Sequence, residues 1–280
     1  MVLEVNIDDN VCNFRERPYN FVANWTMVEA LNRTDEAFLS ATKLCFKWVR
    51  FEEDEIVGAL QACLDRAIGR GHKYEEIIFH YCVGKGIENA ICTVIQSDCC
   101  SRFFLAGETS TTFASSLANA LLCINTSLQF LSISVDRFET AGVEQLFDAL
   151  CQNRTLRCLT LSESTVGGDE SMIAIGSRLP EMRGLRRLYL PYHVGRGDGE
   201  RVLLKGLQQN TQLVRLQVEL APAYLQEHID FILALNLRGG QAYLEHLAHD
   251  QWIDLLIEYR EDVHALYYIL SAVPQQLNRV

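Results

Sequence analysis

The chain has 280 residues, 49% of them hydrophobic, and a formal net charge of −11 from 25 basic and 36 acidic residues. That length and apolar content suffice for one large core, and five prolines with no low-complexity stretch argue for continuous structure rather than domains on linkers. The acidic balance argues against nucleic acid and anionic membranes as partners, since phosphate neutralisation needs clustered Lys and Arg, and no apolar run approaches the ~20 residues of a membrane span.

The opening MVLEVNIDDNVC is acidic and too weakly apolar for a signal peptide, and its first dozen residues are expected to be loose. A helix-like run follows at Ala37, Phe38, Ala41 and Leu44, with Thr34 and Asp35 as N-cap candidates. Residues 1–45 therefore read as an N-terminal cap.

From Phe46 onward an apolar spacing of three then two recurs. It is cleanest at Leu128-Leu131-Ile133, Leu156-Leu159-Leu161, Leu185-Leu188-Leu190 and Leu213-Leu216-Val218. Successive copies stand about 28 residues apart, a period within the range of solenoid repeats. Earlier in the chain the same spacing gives Cys100-Phe103-Leu105, Tyr74-Ile77-Phe79 and Phe46-Val49-Phe51, with aromatic or β-branched residues in place of Leu. Each fragment alternates as a strand does, as in Leu159-Thr160-Leu161. About a dozen residues later the apolar positions take helical spacing: Ile56, Leu60, Leu64, Ile68; Val143, Leu146, Phe147, Leu150; and Val202, Leu203, Leu207. Strand, turn, helix and turn in so short a unit demand parallel strands with helices on one side only, and helices are wider than strand spacings, so the stack curves. About seven such units of roughly 26–29 residues fill 46–236.

These residues resemble the leucine-rich repeat family, in particular its long ribonuclease-inhibitor-like subtype. The segment LQFLSISVDRFETAGVEQLFDALCQNRTLRCLTL matches best, with Gly142 before the helix and Asn153 after it. The resemblance implies an α/β solenoid, curved, with parallel strands on the concave face and helices on the convex face. The family's buried ladder residue, usually Asn or Cys, is present here only as Cys82. The other units carry Asp54, Glu108, Asp136, Ser164, His193 and Ala221, so their loops are expected to be looser or solved another way.

Residues 237–280 read as a helical C-terminal cap of two or three short helices, docking through Trp252, Leu255, Leu256, Leu266, Tyr267 and Leu270. The combination ALNLRGG…W…L…DVHALYYIL…P resembles the C-terminal module of leucine-rich repeat proteins of diatoms and related algae. Ten cysteines are scattered, several at apolar repeat positions (Cys92, Cys123, Cys151, Cys158), and are expected to be reduced, with adjacent Cys99 and Cys100 the exception to watch. A cytoplasmic or nuclear setting follows.

Alternation places a set of side chains on the concave face: Trp48, Arg50, Glu76, Ile78, Arg102, Phe104, Phe130, Ser132, Cys158, Thr160, Arg187, Tyr189, Arg215 and Gln217. Arginines and aromatics dominate, with Glu76 the single acid. These residue types concentrate at interface hot spots, so the strip reads as a groove for an acidic, partly apolar protein surface. The competing reading is that the arginines tolerate exposed strands and the aromatics stack on one another.

No phosphate loop, nucleophile elbow or zinc-protease helix motif occurs, and the expectation is a non-enzyme without metal or cofactor. His246 and His249 stand three apart but lack further ligands at suitable spacing, which favours a solvated helix. The Asn-x-Ser/Thr triplets at Asn24, Asn32, Asn125 and Asn153 read as incidental. Two rival functions stay open. One is a GTPase activator, because Ran-type activators share this repeat subtype; the acidic tail they carry is missing. The other is a ubiquitin-ligase substrate receptor docking an adaptor through the C-terminal helices.

Overall fold

The computed structural model describes residues 2–8, 11–17, 31, 41–51, 54–123, 127–135, 138–162, 168–190, 198–218, 223–238, 244, 247–260, 265–266 and 269–270, with 2–8 and 11–17 through their backbone. β1 (Val2–Asp8) and β2 (Val11–Arg17) form an antiparallel hairpin, Val2 opposite Arg17 and Asp8 opposite Val11. The start of the chain is thus strand, not the expected loose segment. β2 pairs in parallel with β3 (Lys43–Lys47). Leu44, expected in a helix, lies in β3, while Ala37 and Phe38 fall outside the described residues.

Six parallel strands follow: β4 (Tyr74–His80), β5 (Cys100–Ala106), β6 (Phe130–Ser134), β7 (Cys158–Leu161), β8 (Arg187–Leu190) and β9 (Arg215–Val218). Among the described residues the sheet has nine strands in simple chain order. Helices alternate with the strands: α1 (Asp54–Gly69), α2 (Ile87–Gln96), α3 (Phe113–Leu122), α4 (Thr140–Gln152), α5 (Gly168–Arg178), α6 (Asp198–Gln209), α7 (Ala223–Leu237) and finally α8 (His249–Glu258).

One face of each strand is buried against these helices. Leu131, Ile133, Leu159, Leu161, Leu188 and Leu216 are at most 2% exposed, and Val143, Leu146, Phe147 and Leu150 meet them from α4. In the early repeats rings do the same work. Phe46 stacks on Phe79 at 4.8 Å, and Phe79 leads on to Phe103 at 5.6 Å. Of the helical face expected on α1, Leu60 and Leu64 are buried, but Ile68 at the helix end is exposed. Helix to helix, Gly176 of α5 meets Gly206 of α6. A Cβ on Gly176 would lie 2.6 Å from the Leu203 nitrogen, so only glycine lets these backbones approach.

The first repeat starts earlier than the Phe46-Val49-Phe51 spacing predicts, at Ala41 rather than Phe46. Leu44 pairs with Ile77 and Phe46 with Phe79, so the true trio is Ala41-Leu44-Phe46. Leu44, Phe46, Val49 and Phe51 are all fully buried, so the apolar spacing supports two registers; parallel pairing to β4 selects one. The step from Leu44 to Ile77 is longer than the steps that follow because α1 has 16 residues, against 10 in α2.

Cys82 does act as a ladder residue: buried, it donates its S–H to the Phe46 carbonyl at 3.3 Å. Glu108 is exposed, and Asp136, Ser164, His193 and Ala221 lie outside the described residues. Asparagine at the opposite turn ties neighbouring repeats. Asn210, 1% exposed, accepts from the Gln212 and Leu213 N–H groups and donates to the carbonyls of Leu179 and Met182. Asn153 accepts from Thr155 and Leu156 and donates to Leu121. Each thus holds its own strand entry and the preceding helix exit with one side chain.

At the far end, Leu247, Leu255, Ala265 and Ile269 join the core, and Trp252 and Leu256 pack on it. Leu270, expected to dock, is 36% exposed; Ile269 takes the buried place. Tyr267 lies outside the described residues, as does His246. No described helix is long and apolar enough to cross a membrane. Nine described cysteines carry free thiols. Cys123, expected inside, is exposed just past the end of α3.

Two outcomes are expected. Asn210→Ala strands two N–H groups and two carbonyls, so urea unfolding should show a loss of about 2 kcal/mol. Burial, with Glu88 beside Cys92 and Glu181 beside Cys151, pushes both thiols up to about 11. At pH 8 only about one molecule in a thousand then carries either thiolate. Among the described cysteines iodoacetamide should label Cys123 first, and Cys92 and Cys151 only as pH nears 11 or in denaturant, as read by peptide mass spectrometry.

Candidate functional site

The strand face turned away from the helices is ordered into rows by the pairing. The first runs Lys43, Glu76, Arg102, Phe130, Cys158, Arg187, Arg215, and the second Cys45, Ile78, Phe104, Ser132, Thr160, Tyr189, Gln217. A shorter third row holds Lys47, His80, Ala106 and Ser134. From Glu76 onward every expected concave residue falls in these rows. Trp48 and Arg50 do not, which follows from the shifted start of the first repeat. Trp48 is one residue past β3, and Arg50 bridges to Val83 beyond the strand end. Their expected places belong to Lys43 and Cys45.

The charges are organised. Glu76, 8% exposed, lies between Lys43 (Nζ to Oε2, 3.0 Å) and Arg102 (Nε to Oε1, 3.9 Å). The Arg102 guanidinium also covers the rings of Phe104 and Phe130 at 5.4 and 5.2 Å, and these rings pack on each other at 4.9 Å. Arg215 sits over Tyr189 at 5.3 Å. Between the two groups lies Cys158. Burial pushes its thiol up, outweighing the opposing pull of Arg187, Arg102 and Arg215. Glu76 is thus matched inside the groove, while Arg187 and Arg215 stand exposed side by side.

At the rim, where β3 and β4 end, Trp48 and Tyr81 stack almost parallel, 4.8 Å apart at 16°. Each is 48% exposed. Their φ angles are +60° and +51°, a region that costs bulky side chains on the order of 1–3 kcal/mol. At the other end Arg215 and Gln217 line a groove of about 650 Å³ with Gln226, Asp230 and Leu233 of α7.

From β3 to β9, parallel strands in chain order, one helix per strand and a laddered cysteine decide the architecture. The fold is a leucine-rich repeat solenoid. Neither a family model nor a curated protein matches the chain. Among solved structures it is similar to actin-binding site 2 of leiomodin-1, with a TM-score of 0.41 at 20% identity over 55% of this chain and 82% of that one. It is also similar to the tropomodulin C-terminal domain of Caenorhabditis elegans, with a TM-score of 0.42 at 11% identity over 64% of this chain and 93% of that one. Neither likeness carries a role across to this solenoid.

Lys43, Lys47 and Tyr81 are not among the residues that the spacing picks out. A ruler of constant length misses the first two, because the first repeat is longer than the rest. Tyr81 lies one residue past the end of β4, where a positive φ rather than strand alternation sets its direction. Among the described residues no group of three or more His, Cys, Asp or Glu is placed to hold a metal.

Glu76→Gln leaves Lys43 and Arg102 without their shared counter-charge. Because both cations are more than a third exposed, the expected loss in urea unfolding is only about 1 kcal/mol.

Proposed function

We propose that the chain is a non-enzymatic cytoplasmic scaffold that binds an acidic segment of a protein partner on its strand face. One observation carries the reading. In a chain of net charge −11, the stretch of this face from β3 to β9 gathers Lys43, Lys47, Arg102, Arg187 and Arg215 against one acid, Glu76. Repulsion among such cations is tolerated where an anionic partner relieves it. Arginine laid on aromatic rings adds area that is already ordered before binding. Free thiols in the nine described cysteines favour a reducing compartment. The helix-bearing repeats and the Gly142 turn favour the ribonuclease-inhibitor-like subtype. In this reading the segments before β3 and after α7 close the ends of the stack, where a solenoid otherwise leaves an apolar face open.

The test is the triple reversal Arg102→Glu, Arg187→Glu, Arg215→Glu. Affinity for proteins captured by the wild-type chain should fall roughly tenfold or more, each tenfold being about 1.4 kcal/mol. Raising salt should weaken the wild type the same way. Retention of every captured partner by a folded triple variant rejects the reading.

A further inference from the structure

The ladder does not stop where β3, β4 and β5 stop. Trp48 donates its N–H to the His80 carbonyl at 3.0 Å, Tyr81 to Ala106 at 2.6 Å, and Gly107 to Ser134 at 3.0 Å. The three residues therefore form one further row, one step past Lys47, His80 and Ala106. The first two rungs are stacked rings. His80 sets its ring edge-on to both, at 6.3 Å from Trp48 and 4.5 Å from Tyr81, which places the stack on the strand face.

The third rung has no side chain. Gly107 has φ +150°, and a Cβ there would come within 3.3 Å of the Tyr81 Cα. Val135, the residue after β6, is buried. The row is thus two rings followed by a bare backbone step, with Tyr81 half exposed beside it. Strand spacing of about 4.8 Å suits ring stacking, as Trp48 and Tyr81 themselves demonstrate. Both rings are also held at positive φ. A relaxed glycine or asparagine would suit the backbone better at either place, so these rings are kept at a conformational cost.

We infer that the partner segment carries an aromatic side chain that stacks on Tyr81 above Gly107 as the third rung. This rests on the strand face being the surface for an acidic segment, and it names the anchor that segment brings. Arg187 and Arg215 lie three and four strands across from the third rung and five residues back along the strand, roughly 20–25 Å away, or about six to eight residues of extended chain. The occupant is therefore an acidic peptide stretch with an aromatic residue that far from a pair of carboxylates.

Fluorescence anisotropy on the full chain tests this with a dye-labelled synthetic peptide of about twelve residues, in which a Gly-Ser spacer separates one Trp from a Glu cluster. A second peptide carries Ala for Trp. The Trp peptide should bind wild type roughly threefold to tenfold tighter than the Ala peptide. Tyr81→Gly should erase that advantage and Tyr81→Phe restore it, with the salt-sensitive part of binding kept in both. Tyr81→Gly should also melt no lower than wild type, since glycine accepts the positive φ, so lost binding would not reflect unfolding. Equal binding of the two peptides to wild type, with both lost in the triple arginine reversal, overturns the aromatic rung and leaves the strand-face reading standing. Binding indifferent to the reversal, or no binding by either peptide, overturns both.

Discussion

Each repeat here has an apolar strand face and an apolar helix stripe that it cannot bury alone, so parallel pairing between successive repeats is the constraint everything else follows. Leu131, Leu159, Leu188 and Leu216 stand in one register across four strands and are buried only because their neighbours are there. The Asn153 and Asn210 side chains hold the turn entering each strand to the helix of the repeat before. Where backbones must come closest, between α5 and α6, glycine faces glycine. Stability of this kind is a sum of local units and their interfaces, and it leaves the opposite strand face unengaged.

That opposite face acquires its character from what packing does not demand. Arg102 is fixed by Glu76 and two rings, and Arg215 by Tyr189, so cations that would be floppy on a helix surface are held in place. A binding surface arranged beforehand loses less conformational freedom on complex formation. The same ladder that orders the core carries Trp48 and Tyr81 to the rim in stacked array. One pairing pattern therefore builds both the core and the recognition surface.

The middle of the chain was legible because leucine at three-then-two spacing has one reading. From Leu128 to Val218 the expected strands, their facing residues and the α4 stripe stand where the spacing put them. The first repeat was not legible in the same way. Leu44, Phe46, Val49 and Phe51 are all buried, so burial alone cannot choose between two registers, and small Ala41 gives the true one no emphasis. The hairpin did leave a signal: Leu3, Val5 and Ile7 alternate, as do Cys12 and Phe14, with a short polar connection between. A search for one long repeat period passes over such a pattern.

By itself the sequence determined the repeat, the parallel order of the strands and the side chains facing away from the helices between Glu76 and Gln217. These follow from local periodicity, which is written residue by residue. Only the tertiary structure decided where the first repeat begins, that Lys43 and Lys47 rather than Trp48 and Arg50 occupy its strand, and that Trp48 meets Tyr81. Those depend on a pairing partner in the next repeat and on backbone turned to positive φ. Neither leaves a periodic trace, because each is chosen by contact between repeats rather than within one.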